Sequence, residues 1–102
     1  MPGSGTSVIL LVEDNRDDVL LFETALGRVG IPNRVCAVSW GEEVLQHFKG
    51  KGRYEDRGQF PLPQLMFLDL HLPGHSGLDV LKWLRQQPGF RGLPVIVFYG
   101  LS

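Results

Sequence analysis

QLMFLDLHLPGHSG, residues 64–77, is the stretch on which the reading of the chain turns. Leu65 to Leu68 form an unbroken apolar run, Asp69 closes it with a carboxylate, and Pro73 and Gly74 break the chain soon after. A short run that is apolar on both sides fits a strand covered on both faces of a parallel sheet better than one with a wet face. Open parallel sheets carry their chemistry just past the carboxyl ends of their strands, so Asp69 stands where a site is expected.

Outward from that stretch the pattern repeats. Val8 to Val12 (VILLV) is a second apolar run, and it too ends in acids, Glu13 and Asp14. Asn15 or Asp17 can cap a following helix to about Val29, with Val19, Phe22, Leu26 and Val29 at helical spacing and Gly30 as the stop. Pro32 to Val38 reads as a short strand. Ser39 and Glu42 have the spacing of a capping box for a helix through Phe48, buried through Val44, Leu45 and Phe48. Lys49 to Pro63, KGKGRYEDRGQFPLP, has no periodicity and predicts a long loop. Ser76 and Asp79 form another cap-like pair, opening a helix marked by Leu78, Leu81 and Leu84 that ends before Pro88. Pro94 to Tyr99 (PVIVFY) predicts a fourth strand. The order β, α, β, α, β, α, β argues for right-handed crossovers and a parallel sheet with helices on both faces.

Bulk properties bound the function without naming it. The chain has 102 residues and a net charge of −1, enough for one domain and without the basic field that would argue for nucleic acid. A single cysteine, Cys36, leaves no internal disulfide and no cysteine-based metal cluster, and agrees with a reducing compartment. Its expected state is a buried, inert thiol. The leader MPGSGTS carries no Lys or Arg before Val8, so neither a signal peptide nor a membrane span is expected and the cytoplasm is the simplest location.

Glu13, Asp14 and Asp69 would meet at the ends of two adjacent central strands. Three uncompensated carboxylates in one pocket repel and raise one another's pKa, so a cation is needed there. Oxygen-only ligands at an open site suit Mg²⁺. Taken alone, Glu13 and Asp14 would be ordinary acids of a helix amino terminus, favoured by its dipole; pairing with Asp69 makes them site residues.

On LLVEDNRDD at residues 10–18, LMFLDLHLPGHSGLDVL at 65–81 and PVIVFY at 94–99, the chain resembles the receiver domains of bacterial two-component response regulators. The long insert before the Asp69 strand is similar to that of stand-alone receivers serving phytochrome-type sensor kinases. The resemblance implies a flavodoxin-like (CheY-like) α/β fold, a doubly wound parallel sheet. It implies Asp69 as phosphoacceptor from a partner histidine kinase, with Mg²⁺ held directly by Asp14 and Asp69, by Glu13 mainly through water, and by the backbone carbonyl of His71. Such a chain is a phosphoacceptor rather than an enzyme, at most phosphorylating itself from small donors and dephosphorylating itself. It signals as a phosphoprotein through a downstream protein partner.

Two departures stand out. Where the family has a Ser or Thr hydroxyl at the end of the fourth strand, this chain has Tyr99, a longer side chain that would crowd the pocket; Ser102 takes the role only if the register shifts. The chain also stops before the helix, strand and helix that complete the family fold, and before its lysine. Residues 1–102 therefore read as a single receiver domain incomplete at the carboxyl terminus. The Pro94–Tyr99 strand then becomes an exposed apolar edge, open to a homodimer or a domain swap.

The rival readings are a pseudo-receiver that binds partners without phosphorylation and a phosphohydrolase with Asp69 as nucleophile. The second wants an acid two residues on, where His71 stands. A flavodoxin is disfavoured because acids, not a phosphate-cradling loop, follow the first strand. His71 and His75 read as loop residues and His47 as solvent-facing. Trp40 and Trp83 read as packing residues.

Overall fold

The apolar runs form four parallel strands in the order β2-β1-β3-β4. The computed structural model describes residues 8–39, 41–71 and 77–99. The elements are β1 (Val8–Val12), α1 (Arg16–Arg28), β2 (Arg34–Val38), α2 (Gly41–Lys49), a 3-10 turn (Gly52–Glu55), β3 (Leu65–Asp69), α3 (Gly77–Gln86), a second 3-10 turn (Pro88–Phe90) and β4 (Val95–Phe98). Every residue of central β1 is buried, as a strand covered on both faces must be.

Alternation along the strands sorts the side chains into two layers. Leu10, Val12, Met66 and Leu68 enter a core closed by Val44 and Phe48 of α2 and by Val80 and Leu84 of α3. On the opposite face, Phe22 of α1 lies edge-on to Phe67 with ring centroids 4.9 Å apart. Next to that contact Phe22, Phe67, Ile96 and Phe98 line an open apolar groove of about 220 Å³. β4 lies at the sheet edge, with Ile96 and Val97 exposed.

Asn15 caps α1, its side chain accepting from the Asp18 amide at 3.1 Å. The helix closes with two bonds, Gly30 N–H to the Gly27 carbonyl and Ile31 N–H to that of Leu26. This closure needs a left-handed residue, and Gly30 has φ +78°. α2 ends through the equivalent bonds from Gly50 to His47 and from Lys51 to Gln46.

Several sequence expectations shift. Val29 and Leu78 are exposed rather than buried, Val29 because it is the C-cap just past the end of α1 and Leu78 because it falls off the inward stripe of α3. The acid that reaches back to the Ser39 amide is Glu43, not Glu42, because α2 begins only at Gly41. β2 starts at Arg34 and β4 spans Val95–Phe98, each shorter than the apolar patch suggested. Trp83 is half-buried against the core, as a packing residue should be. Cys36 is half-buried with its thiol pKa pushed up by burial, which keeps it unreactive. Trp40, Pro73, Gly74, His75, Ser76 and Ser102 lie outside the described residues.

The Lys49–Pro63 stretch is not a structureless loop. Its 3-10 turn buries Tyr54, whose hydroxyl donates to Glu43, while Arg53 pairs with the same carboxylate. Arg57 donates to the His47 carbonyl at 2.7 Å and the Phe48 carbonyl at 3.1 Å, satisfying carbonyls at the end of α2. The packed insert overturns the reading of His47 as solvent-facing. Its imidazole is fully buried, edge-on to Tyr54 at 4.9 Å.

Burial and the nearby Arg57 cation push the His47 pKa down to about 4, with Glu43 and the Pro61 carbonyl acting the other way. A base whose folded pKa is depressed contributes fully above its ordinary value near 6.5 and loses that contribution as pH falls toward 4. His47→Leu is therefore expected to abolish this acid-side loss. Thermal melts of parent and variant should differ by a constant amount above pH 6.5, with the parent losing ground to the variant below it. A difference independent of pH would contradict a buried neutral imidazole.

Candidate functional site

The site is assembled by strand ends. Val12 of β1 lies opposite Leu68 of β3, so the next residues, Glu13 and Asp69, emerge side by side. Glu13 N–H still donates to the Val38 carbonyl at 3.0 Å, which holds this end of β1 in the sheet before the chain turns into α1. Side-chain oxygens of Glu13, Asp14 and Asp69 lie within 4.8 Å of one another. Glu13 and Asp69 are 2% and 1% exposed, so both carboxylates are withdrawn from water, whereas Asp14 is exposed.

Local bonds orient these groups. Glu13 Oε1 accepts from the Asp14 amide at 3.0 Å and, more weakly, the Asn15 amide at 3.4 Å. Asp69 Oδ1 accepts from the His71 amide at 2.8 Å. Behind Asp69 the start of α3 approaches very closely. A Cβ on Gly77 would stand 2.7 Å from both the Asp69 carbonyl oxygen and Leu70 Cα, so only glycine lets α3 begin there.

Glu13 Oε2 is buried without a hydrogen-bond partner. Burial first, and then the neighbouring Asp69 and Asp14 carboxyls, push the Glu13 pKa up to about 7, with the Asn15 amide acting against them. None of the groups that set this value is a cation. An orphaned oxygen, three converging carboxylates and an open side at Asp14 fit a hard divalent cation that keeps some of its waters. Among the described residues the donor set contains no sulfur or imidazole, which weighs against zinc.

A family described as the response regulator receiver domain matches residues 9–100. The chain belongs to this family. The response regulator Rcp1 of Synechocystis sp. is 34% identical over 90 residues, which is 88% of this chain and 59% of Rcp1. Among solved structures, that of the phosphorylated cyanobacterial phytochrome response regulator RcpA superposes with a TM-score of 0.83 at 31% identity, covering 96% of this chain and 69% of that one. The Mn²⁺-bound form of Rcp1 gives a TM-score of 0.80 at 34% identity, covering 89% and 63%. The receiver thus spans about three fifths of Rcp1's length, and its fold is the CheY-like parallel sheet of its neighbours.

Of the receiver's sequence-derived site residues, Glu13, Asp14 and Asp69 converge. His71 follows directly, tied to Asp69 through its amide. Tyr99 does not join the acids by its hydroxyl. Its ring is exposed and packs edge-on against the His71 imidazole, centroids 4.5 Å apart. That contact and the Gly77 approach were not anticipated from sequence, although the glycine closes the L-P-G-x-x-G run. Among the described residues no helix is long and apolar enough to cross a membrane.

Proposed function

We propose that this receiver accepts a phosphoryl group on Asp69 from a phosphohistidine of a sensor histidine kinase, with Mg²⁺ held by its acidic cluster. The reading is carried by one observation, the convergence of three carboxylates at adjacent strand ends with Glu13 Oε2 buried and unpartnered. Asp14 and Asp69 would hold the ion directly, Glu13 mainly through a water, and the His71 backbone carbonyl would complete the protein ligands. Bound Mg²⁺ supplies the positive charge that offsets the equatorial oxygens of the transferring group.

Asp69 does the covalent work. A carboxylate oxygen forms a bond to phosphorus in line with the departing nitrogen, and the phosphorus–nitrogen bond breaks with its electron pair going to the imidazole. The His71 amide fixes the orientation of the carboxylate during this step. The resulting acyl phosphate adds charge and acceptor oxygens at the head of the loops after β3 and β4, which is how the signal would reach a downstream protein.

The likeness to RcpA, a cyanobacterial phytochrome response regulator, supports a kinase of phytochrome type. In this reading residues 1–102 act as one receiver unit in the cytoplasm, as a phosphoacceptor that at most phosphorylates itself from small donors and dephosphorylates itself, and the open edge of β4 is where a second chain would pair. Incubation with acetyl phosphate tests the central step. Intact mass should rise by one phosphoryl group with Mg²⁺ present and stay unchanged without it. No rise under either condition would favour the pseudo-receiver, to which Tyr99 in place of a small hydroxyl already points.

A further inference from the structure

We infer that a cleft at the amino ends of β3 and β4 is a docking site for an acidic segment of a partner protein, one that presents a leucine or aromatic side chain among aspartates and glutamates. The inference does not depend on phosphorylation of Asp69. Gln64 and Pro94, which immediately precede β3 and β4, both line the cleft, whose volume is about 450 Å³. Asp69 closes the other end of β3, about 15 Å away at roughly 3.3 Å per residue. A segment seated in the cleft and a phosphodonor at Asp69 therefore approach opposite ends of the sheet.

The walls are apolar and braced. The insert contributes Leu62, the second 3-10 turn and the residues after it contribute Phe90 and Leu93, and Phe48 comes from the end of α2. Phe48 and Phe90 meet edge-on with ring centroids 4.9 Å apart. Arg57 ties the insert to α2 by donating to the His47, Phe48 and Phe60 carbonyls at 2.7, 3.1 and 3.3 Å. Arg85 braces the other wall through the Phe90 and Arg91 carbonyls at 3.3 and 2.9 Å. A cleft fixed in this way costs a ligand little ordering, and Leu62, 45% exposed, leaves apolar surface in it uncovered.

Charge decides the partner's character. Every lining residue except Phe48 falls in the stretches 57–68 and 80–99, which carry Arg57, Lys82, Arg85 and Arg91 and no acid. Lys49 follows Phe48, and its ammonium stands 5.5 Å from the centroid of the Trp83 ring, itself 6.4 Å from that of Phe90. Lys49 and Arg91 are exposed, and among the described residues neither pairs with a carboxylate. The insert's own acids stand aside. Asp56 accepts from the Gly58 and Gln59 amides at 3.0 and 3.2 Å, and Glu55 lies on the first 3-10 turn, outside the lining. Exposed cations around an apolar cleft attract an acidic segment and repel a basic one, while the anchor side chain supplies the affinity.

The test uses the whole chain and a fluorescein-labelled octapeptide, Glu-Glu-Asp-Leu-Phe-Asp-Glu-Glu, titrated by fluorescence anisotropy. The peptide should bind, and bind severalfold more weakly as salt rises from about 50 to about 500 mM. Peptides with serine for its leucine and phenylalanine, or lysine for its acids, should bind about tenfold more weakly or worse. Leu62→Glu should weaken binding about tenfold and Arg91→Glu about two- to fivefold, while Ile96→Ser, in the groove on the other face of the sheet, should leave it unchanged. No binding of the acidic peptide, equal binding of the lysine peptide, or a Leu62→Glu chain that binds as well as the parent would overturn the inference. Sedimentation that finds a dimer of the parent, dissolved by Leu62→Glu, would overturn it too, since a second copy would then fill the cleft. None of these outcomes bears on Asp69 as acceptor.

Discussion

Asp69→Asn is expected to take up no phosphoryl group and to melt higher than the parent when Mg²⁺ is absent. The amide oxygen of Asn can still accept from the His71 amide, so the 2.8 Å bond that orients this position is retained. What disappears is the nucleophilic carboxylate, together with one negative charge beside Glu13. Asp69 is among the groups that push the Glu13 carboxyl up to about 7, so its neutralisation relieves a repulsion the folded chain carries at neutral pH. A gain of about 1 kcal/mol, or several degrees in Tm, is the expected scale for a domain of this size. Intact mass after acetyl phosphate and a melt without Mg²⁺ check the two halves. Phosphorylation of the variant to the parent's extent would move the acceptor elsewhere.

Asp14→Ala is expected to remove the stabilisation that Mg²⁺ confers on the parent. Asp14 is the exposed member of the cluster, so its loss costs little packing. It does remove one of the three carboxylates that would hold the ion, the one facing solvent. At a Mg²⁺ concentration ten times its dissociation constant, linkage gives the parent about 1.4 kcal/mol, and Asp14→Ala should gain almost none. The parent's gain should also be larger at pH 8 than at pH 6. Burial and the neighbouring carboxyls push the Glu13 pKa up to about 7, and a bound ion would have to displace its proton below that value. An equal Tm shift in parent and variant would place the ion away from these acids.

How much of this was legible depends on the range over which each feature is determined. β1 and β3 could be read from their residues because a strand buried on both faces must be apolar throughout, and a carboxylate ending such a run is conspicuous. The meeting of Glu13 and Asp69 followed from strand order, which the resemblance supplied and the register of Val12 with Leu68 bears out. His47 was misread because its burial is not a property of α2. It is covered by Tyr54 from a 3-10 turn in the insert, and the mixed charges of that insert concealed Arg57 bonded to the end of the helix. Glu43 replaced Glu42 in the cap because a capping box fixes spacing from the first helical residue, and α2 starts later than Ser39 suggests.

Tyr99 shows the limit most clearly. The resemblance sets it where the family has a hydroxyl, while its chemistry is that of a strand-end aromatic. Only the meeting of two strand ends reveals its contact with His71, whose own reading as a loop residue held no hint of a partner. Gly77 is similar, since its place in L-P-G-x-x-G marks a turn, while the 2.7 Å approach to the Asp69 carbonyl shows why no side chain fits.

The most direct test of the central claim is to locate the phosphoryl group. The chain is loaded with acetyl phosphate and Mg²⁺, the acyl phosphate is reduced with borohydride to mark the residue that carried it, and the peptides are mapped by mass. The account predicts a single mark on Asp69 that is absent when Mg²⁺ is withheld. A mark on Glu13, on Asp14 or on any residue outside the cluster would contradict it.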